Sequence, residues 1–222
     1  MPPAPNRILQ ITELRRLLQE KFPEAPTKKD AFFLTGLEAI DRAQQGLPRA
    51  AVTEICGSLG TGSLIISTLL QAAHRARSYS ALVDGGRTFE VSGLGPHLLR
   101  RMLWVLCERA EQAVKAADLL LRDGNLPLVM LDLQSLPVKQ LRRIPASTWH
   151  RFHRIAEQGS TALAVFTPAP MIEGVRLRVA AENRWRLKDM TRRRHLLMQD
   201  LKLRVFDKST FITALDQHLK TA

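Results

Sequence analysis

A glycine-rich segment, residues 57–64, has the spacing of a loop that binds phosphate groups. In loops of the form G-x-x-x-x-G-K-[ST], backbone N–H groups surround a phosphate, the Lys reaches the outer phosphates and the Ser or Thr binds magnesium. Gly57 and Gly62 have this spacing, but Ser63 replaces the Lys and Leu64 replaces the Ser or Thr. The sequence therefore predicts a loop that keeps its shape without the charged groups that magnesium-ATP requires.

Such a loop would have to hold the charges of a nucleoside triphosphate with backbone dipoles alone. We therefore predict a protein with no catalytic residues, no cofactor and no ATP hydrolysis, in which the loop joins a strand to a helix. Residual binding of a nucleotide or another anion stays open as the alternative. The residues that would carry it are Gly57, Gly60, Thr61, Gly62, Ser63 and Asp132.

The residues before the loop also follow a recognisable pattern. Residues 35–48 have the form T-G-L-x-x-I-D-x-x-x-x-G-L-P, and a strand with an internal Glu and the glycine-rich loop come next. This order resembles the entrance to the core of RecA-type recombinases. The matching positions are Thr35, Gly36, Leu37, Asp41, Gly46, Leu47, Pro48, Glu54 and Gly57.

Apolar segments alternate with amphipathic ones along the rest of the chain. After the strand, loop and helix of residues 50–77, the predicted strands are residues 80–86, 102–107, 126–133 and 160–167, with helices at 108–122 and 145–159. This order predicts an α/β domain with a mainly parallel sheet flanked by helices. We place a RecA-like core at residues 31–206, with basic antiparallel strands at 175–206. An N-terminal helical arm and linker, residues 1–30, precede it, and a C-terminal helix or tail, residues 207–222, follows.

The resemblance implies that two catalytic positions have changed. RecA-type ATPases carry a carboxylate that activates water shortly after the strand that ends here at Asp84, and Gly86 stands at that position. Asp132 takes the place of the acid that orders magnesium, but Leu64 offers no hydroxyl to share the metal. We interpret Asp84 as a strand-end or turn residue and Asp132 as a remnant of the fold.

The chain is strongly basic. Its 33 Lys and Arg residues against 21 Asp and Glu residues give a net charge of +12, which favours an anionic partner, nucleic acid before an acidic protein or a membrane surface. Basic and apolar residues alternate in residues 175–179, 184–188 and 201–205, which predicts strands with their cations in water and a hairpin loop at residues 192–194. The predicted DNA-binding residues are Arg176, Arg178, Arg186, Lys188, Arg192, Arg193, Arg194, Lys202 and Arg204.

Aromatic residues make up only 5% of the chain, and Trp149 and Trp185 are the candidates for stacking on bases. Binding to single-stranded or primer-template DNA should therefore be mainly electrostatic, weakly sequence-selective and steeply salt-dependent. RecA-type recombinases have long mobile loops after the strands that end here near Leu133 and Thr167. The second loop is shortened to about residues 168–174, which argues against strand exchange.

The remaining features concern structure and location. Cys56 and Cys107 lie in apolar strands and should be buried free thiols, and His150 and His153 lack the third ligand that a metal site needs. With no long apolar run and no signal-peptide core, we expect a cytoplasmic protein without a membrane partner. The N-terminal arm should dock on its own domain or on a neighbouring chain, and both remain open. Its predicted protein-contact residues are Leu14, Leu18 and Phe22.

Three passages extend the resemblance over residues 33–208, namely ALVDGGRTF, LLRRMLWVLC and ADLLLRDGNLPLVMLDL. They resemble ImuA-type proteins, RecA-like accessory factors of bacterial mutasomes that are also labelled SulA-like. The resemblance implies a nucleoid-associated role in the SOS response and error-prone translesion synthesis. Implied partners are an ImuB-type inactive Y-family polymerase homologue, an error-prone replicative-type polymerase and RecA, and a homo-oligomer stays open. The alternatives are a DNA-dependent ATPase with an atypical loop and a cell-division inhibitor that binds no DNA.

Overall fold

A seven-stranded sheet forms the centre of the part of the chain that the computed structural model describes, residues 31–58, 60–183 and 185–207. A short hairpin, β1 (Phe32–Phe33) and β2 (Leu47–Pro48), stands apart from it. The sheet strands are β3 (Ala51–Gly57), β4 (Ser80–Asp84), β5 (Met102–Leu106), β6 (Leu128–Asp132), β7 (Ala162–Thr167), β8 (Leu177–Glu182) and β9 (Lys202–Asp207).

Seven α-helices connect these strands within the described residues. They are α1 (Glu38–Gln44), α2 (Thr61–Arg75), α3 (Pro96–Leu99), α4 (Ala110–Asp123), α5 (Val138–Leu141), α6 (Ala146–Gly159) and α7 (Arg194–Asp200), and a 3-10 helix (Leu187–Thr191) precedes α7. The strand order is β5-β4-β6-β7-β3-β8-β9, with every neighbouring pair parallel except β8 and β9. The predicted α/β fold is confirmed, including its antiparallel C-terminal strands, and it is consistent with a RecA-like core.

Helices cover both faces of the central strands, which explains why those strands are apolar almost without interruption. Alternate residues point to opposite faces: Leu82 and Met130 join the cluster that contains α2, whereas Val83 and Leu131 join the cluster that contains α4 and α6. Because the strands are parallel, their carboxyl ends meet at one edge of the sheet. This edge brings the glycine-rich loop close to the end of β6.

The T-G-L-x-x-I-D pattern forms a local cap for α1. The Asp41 carboxylate accepts hydrogen bonds from the Thr35 N–H (3.0 Å), the Thr35 hydroxyl (2.7 Å) and the Gly36 N–H (2.9 Å). Gly36 has a φ of +75°, a conformation that favours glycine. The spacing of this pattern therefore has a structural cause that requires no ligand.

A buried ion pair joins β3, the strand before the glycine-rich loop, to its neighbour β8. Glu54 is fully buried and Arg178 is 7% exposed, and the Glu54 Oε2 lies 2.7 Å from the Arg178 Nε. The other Glu54 oxygen accepts hydrogen bonds from the Thr167 hydroxyl and from the N–H groups of Met171 and Ile172, at 2.8–3.2 Å. Glu54 thus fixes the connection between β7 and β8, which is the shortened loop predicted from the sequence.

Three sequence-based predictions are wrong in detail. Among the described strands, β5 lies at the edge of the sheet and pairs only with β4, so Leu103 and Leu106 are exposed instead of buried. Of the strand predicted at residues 184–188, the described residues 185–188 are not in a strand. Residues 192–194 do not form a hairpin loop, because a 3-10 helix and α7 lie between β8 and β9. Leu197 and Met198 of α7 pack toward the core. The alternation of basic and apolar residues over only five positions does not reveal this helical packing.

The buried pair leads to a test of stability. Replacing Arg178 with Met leaves the Glu54 carboxylate buried without its cation, so the free energy of unfolding should fall by about 3–5 kcal/mol. Arg176→Met is the matched control, since Arg176 lies two residues away on the surface, and it should change stability by less than about 0.5 kcal/mol. Urea denaturation measures both; an equal effect of the two substitutions would contradict the structural role of the pair.

Candidate functional site

The glycine-rich loop has the predicted order of strand, turn and helix. β3 ends at Gly57, and α2 begins at Thr61 after Gly60, whose φ is +90°. The backbone N–H and the hydroxyl of Thr61 both donate to the Ser58 carbonyl, at 3.2 and 2.7 Å. Part of the hydrogen-bonding capacity of the loop is therefore used within the loop itself.

The side chain of Gln134, two residues after the end of β6, bridges the loop and the first turn of α2. Its Oε1 accepts the Gly62 N–H at 3.1 Å, and its Nε2 donates to the Gly57 carbonyl at 3.0 Å and to the Thr61 Oγ1 at 3.1 Å. Gln134 is only 7% exposed. First-turn N–H groups of a helix are the ones that bind phosphate in such loops, and here the Gly62 N–H already has a partner. We call these three hydrogen bonds the Gln134 bridge.

Close packing explains why glycine stands at positions 57 and 62. A Cβ on Gly62 would lie 2.5 Å from the Gln134 Oε1, and a Cβ on Gly57 would lie 2.5 Å from the Ala181 carbonyl oxygen. The Ala181 carbonyl belongs to the backbone and cannot turn aside, whereas the Gln134 amide would have to leave its hydrogen bond with the Gly62 N–H. A backbone contact within the protein therefore requires glycine at position 57, and glycine at position 62 leaves space for the Gln134 side chain, whatever the loop binds.

The two aspartates at the ends of β4 and β6 are buried and serve local hydrogen bonds. Asp84 accepts the N–H groups of Thr88 and Phe89, at 3.0 and 3.1 Å, as a turn residue does. Asp132 accepts the Gln134 N–H at 3.0 Å and so orients the residue that forms the bridge. Burial raises the pKa of Asp132 to about 6, an effect that the Gln134 N–H opposes and the Asp84 carboxylate reinforces.

Gly86 stands where the resemblance implies a water-activating carboxylate, and the Ser135 side chain occupies the space beside it. A Cβ on Gly86 would collide with the hydroxyl of Ser135. Ser135 lies directly after Gln134, so the same connection that forms the bridge also occupies this position. A glutamate at residue 86 would require the Ser135 side chain to turn away.

Residues after β8 cover the outer side of the loop. The Asn183 Nδ2 donates to the Ser58 hydroxyl at 2.9 Å, and the Trp185 ring lies 3.8 Å from where a Cβ on Gly60 would stand. Trp185 thus contacts the loop and is half-buried, and Trp149 is buried in the core next to Phe152. Neither tryptophan has the exposed ring that the prediction of base stacking requires.

The nine predicted DNA-binding residues fall into three groups. The prediction that Arg178 is an exposed DNA-binding cation is wrong, because Arg178 belongs to the buried ion pair with Glu54. Three others have acidic or polar partners: Arg192 pairs with Asp200 at 2.6 Å, Arg194 donates to the Ser67 hydroxyl at 2.9 Å, and Arg204 pairs with Glu182. The cations that are exposed without an ion pair among the described residues are Arg176, Arg186, Lys188, Arg193 and Lys202.

The remaining predictions concern the cysteines, metal binding, the membrane and the N-terminal arm. Cys56 and Cys107 are buried free thiols, as predicted, and burial raises the pKa of both. Among the described residues, no group of three or more His, Cys, Asp or Glu side chains could hold a metal ion, and no helix there is long and apolar enough to cross a membrane. Leu14, Leu18 and Phe22, with the rest of the arm, lie outside the described residues, as do residues 208–222.

Sequence reasoning missed Gln134 and Asn183, which make the decisive contacts with the loop. Neither belongs to a motif that binds phosphate. The position of Gln134 was one available signal. A polar residue just after a buried parallel strand lies at the carboxyl edge of the sheet, where the glycine-rich loop also lies. The sequence matches no protein-family model and no curated protein at a significant level of similarity.

The raised pKa of Asp132 predicts a dependence of stability on pH. Because the folded protein binds this proton more tightly than the unfolded chain, the contribution to stability is fully present below about pH 4 and is lost as the pH rises through about 6. Asp132→Asn keeps the oxygen that accepts the Gln134 N–H but does not titrate. Relative to this variant, the wild type should lose about 2–3 kcal/mol of unfolding free energy between pH 4 and pH 7. Urea denaturation across this range measures the difference, and a constant difference would contradict the prediction.

Proposed function

We propose that this chain is a non-catalytic, RecA-like accessory protein that binds DNA electrostatically without a nucleotide cycle. The observation that carries the proposal is the Gln134 bridge, which gives the Gly62 N–H an internal partner. In this proposal the loop is a structural joint between β3 and α2. We further propose, from the resemblance alone, a role in the SOS response, in which the protein would support error-prone translesion synthesis.

Three further features support a function without ATP hydrolysis. Ser63 and Leu64 supply neither the cation nor the metal ligand of an active loop. Gly86 supplies no carboxylate, and the Ser135 hydroxyl occupies the space beside it. Each of these changes alone would weaken catalysis, and all of them affect the same edge of the sheet.

Charge supports nucleic acid as the partner. The net charge is +12, and five exposed cations near the C-terminus have no acidic partner among the described residues. Glu54 anchors the connection between β7 and β8, so this connection does not resemble a long mobile DNA-binding loop. DNA should therefore bind through phosphate contacts on the surface, with little sequence preference.

The proposed protein partners come from the resemblance alone. They are an ImuB-type inactive polymerase homologue, an error-prone replicative-type polymerase and RecA. In this arrangement the chain would act as a scaffold that holds DNA and polymerase components together. The N-terminal arm, with Leu14, Leu18 and Phe22, is the proposed contact for one of them.

The test uses charge reversal at residues that do not support the fold. Arg186, Lys188 and Arg193 are exposed, whereas Arg192 and Arg194 hold neighbouring elements and are left unchanged. Changing the three exposed residues to Glu should weaken binding of fluorescent single-stranded DNA for all sequences alike. The slope of log affinity against log salt should fall by about 2, because each contact with a single strand contributes about 0.7.

The control reverses three exposed cations elsewhere, Arg100, Lys115 and Arg154, and so has the same net charge. This control should retain most of the affinity, and magnesium-ATP should leave the wild-type affinity unchanged. Equal losses in the two triple variants would contradict the proposed surface. An ATP-dependent affinity would contradict the proposal that the loop is structural.

A further inference from the structure

Two long helices on one face of the sheet, α4 and α6, lie side by side and run in the same direction. Each has 14 residues. Their carboxyl ends touch, since a Cβ on Gly159 would lie 3.3 Å from the Gly124 Cα, and Arg151 pairs with Asp118 between their middles at 2.8 Å. Helices of equal length that meet at one end also have neighbouring starts at the other.

A cleft of about 380 Å³ lies between the two helix starts. Arg109 and Ala110 line it from the start of α4, Pro145 and Thr148 line it from the start of α6, and Arg143 lies beside them. Val114 and Ile144 supply apolar walls. The volume is within the range of small-molecule sites, about 300–1,000 Å³.

Neither helix start is capped by a side chain. The N-cap residues are Arg109 and Pro145, and neither accepts a hydrogen bond from the first turn through its side chain. The first-turn N–H groups of both helices thus lack a capping side chain, and among them the Thr148 N–H donates to the Pro145 carbonyl at 2.9 Å. Two positive helix ends and two guanidinium groups therefore surround one cleft, which favours an anion.

The hydroxyl of Thr148 is an independent sign of a ligand. Thr148 is 6% exposed and lines the cleft, and its side chain makes no hydrogen bond within the described part of the chain. The hydroxyl is not one of the fully buried unpaired side-chain atoms, so it faces the cleft and is available there to a ligand or to water. Its position beside the uncapped N–H groups makes it a donor toward the same anion.

We propose that this cleft binds a phosphate ester group. The first-turn N–H groups, the Thr148 hydroxyl and the two arginines, Arg109 and Arg143, would contact the phosphate oxygens, and the body of the ligand would pack on Val114 and Ile144. Glu111 is the one acid among the lining residues, and it offsets part of the positive charge. The cleft is separate from the glycine-rich loop, so this inference goes beyond the proposed function.

The direct test is a titration of the ¹⁵N-labelled full-length protein with inorganic phosphate at constant ionic strength, followed by NMR. The amides of residues 110–112 and 146–148 should shift together and saturate. Arg143→Gln should weaken binding about tenfold, since it removes a charge-assisted hydrogen bond. Glu111→Gln should strengthen binding, because it removes the opposing charge.

Arg154→Gln is the matched control, with the same loss of charge on an exposed position of α6, and it should leave phosphate affinity nearly unchanged. Absence of saturable shifts at these amides, or equal losses for Arg143→Gln and Arg154→Gln, would overturn the proposal. Since this assay contains no DNA, its failure would leave the proposed function intact.

A second arm distinguishes the sources of the phosphate ester. Short single-stranded DNA with and without a 5′-phosphate is compared on the wild type and on Arg143→Gln. If the ligand is a DNA end, the 5′-phosphate should strengthen binding in the wild type only. If the two DNAs bind alike while inorganic phosphate still saturates the cleft, the ligand is a small phosphate ester.

Discussion

The Gln134 bridge is the interaction on which the edge of the sheet depends. One buried amide side chain connects the end of β3, the start of α2 and the end of β6. Gly62 leaves space for the Gln134 amide, and the Ala181 carbonyl oxygen leaves no space for a side chain at Gly57. A spacing that elsewhere serves a phosphate is thus maintained here by contacts within the protein. Asp132, whose carboxylate orients the Gln134 backbone, has a part in the same network.

Glu54 has a comparable role on the other side of β3. Its carboxylate joins β3 and β7 to Arg178 of β8 and to the backbone of residues 171 and 172. A connection that is long and mobile in RecA-type recombinases is short here and is fixed by hydrogen bonds to a buried charge. The two networks together favour a core that holds one shape over a core that cycles with a ligand, and this is the physical basis for proposing a scaffold.

The α/β fold could be predicted because the apolar strands and amphipathic helices are long and separated by clear turns. The turn role of Asp84 and the burial of Cys56 followed from the same pattern. What could not be predicted depends on contacts distant in sequence. Arg178 alternates with apolar residues as a surface cation would, but its register places it opposite Glu54. Gln134 belongs to no motif, and only the topology places its amide against Gly62.

The most direct measurement is a titration of the ¹⁵N-labelled protein with magnesium-ATP, in which the Gly62 amide and the Gln134 side-chain amide are followed by NMR. The account predicts that both signals keep their positions up to millimolar nucleotide, because each group already has its partner within the protein. Shifts confined to residues 110–112 and 146–148 would belong to the cleft between α4 and α6 and would leave the bridge intact. Saturable shifts of both Gly62 and Gln134 would show that nucleotide displaces the bridge, and would contradict the central claim.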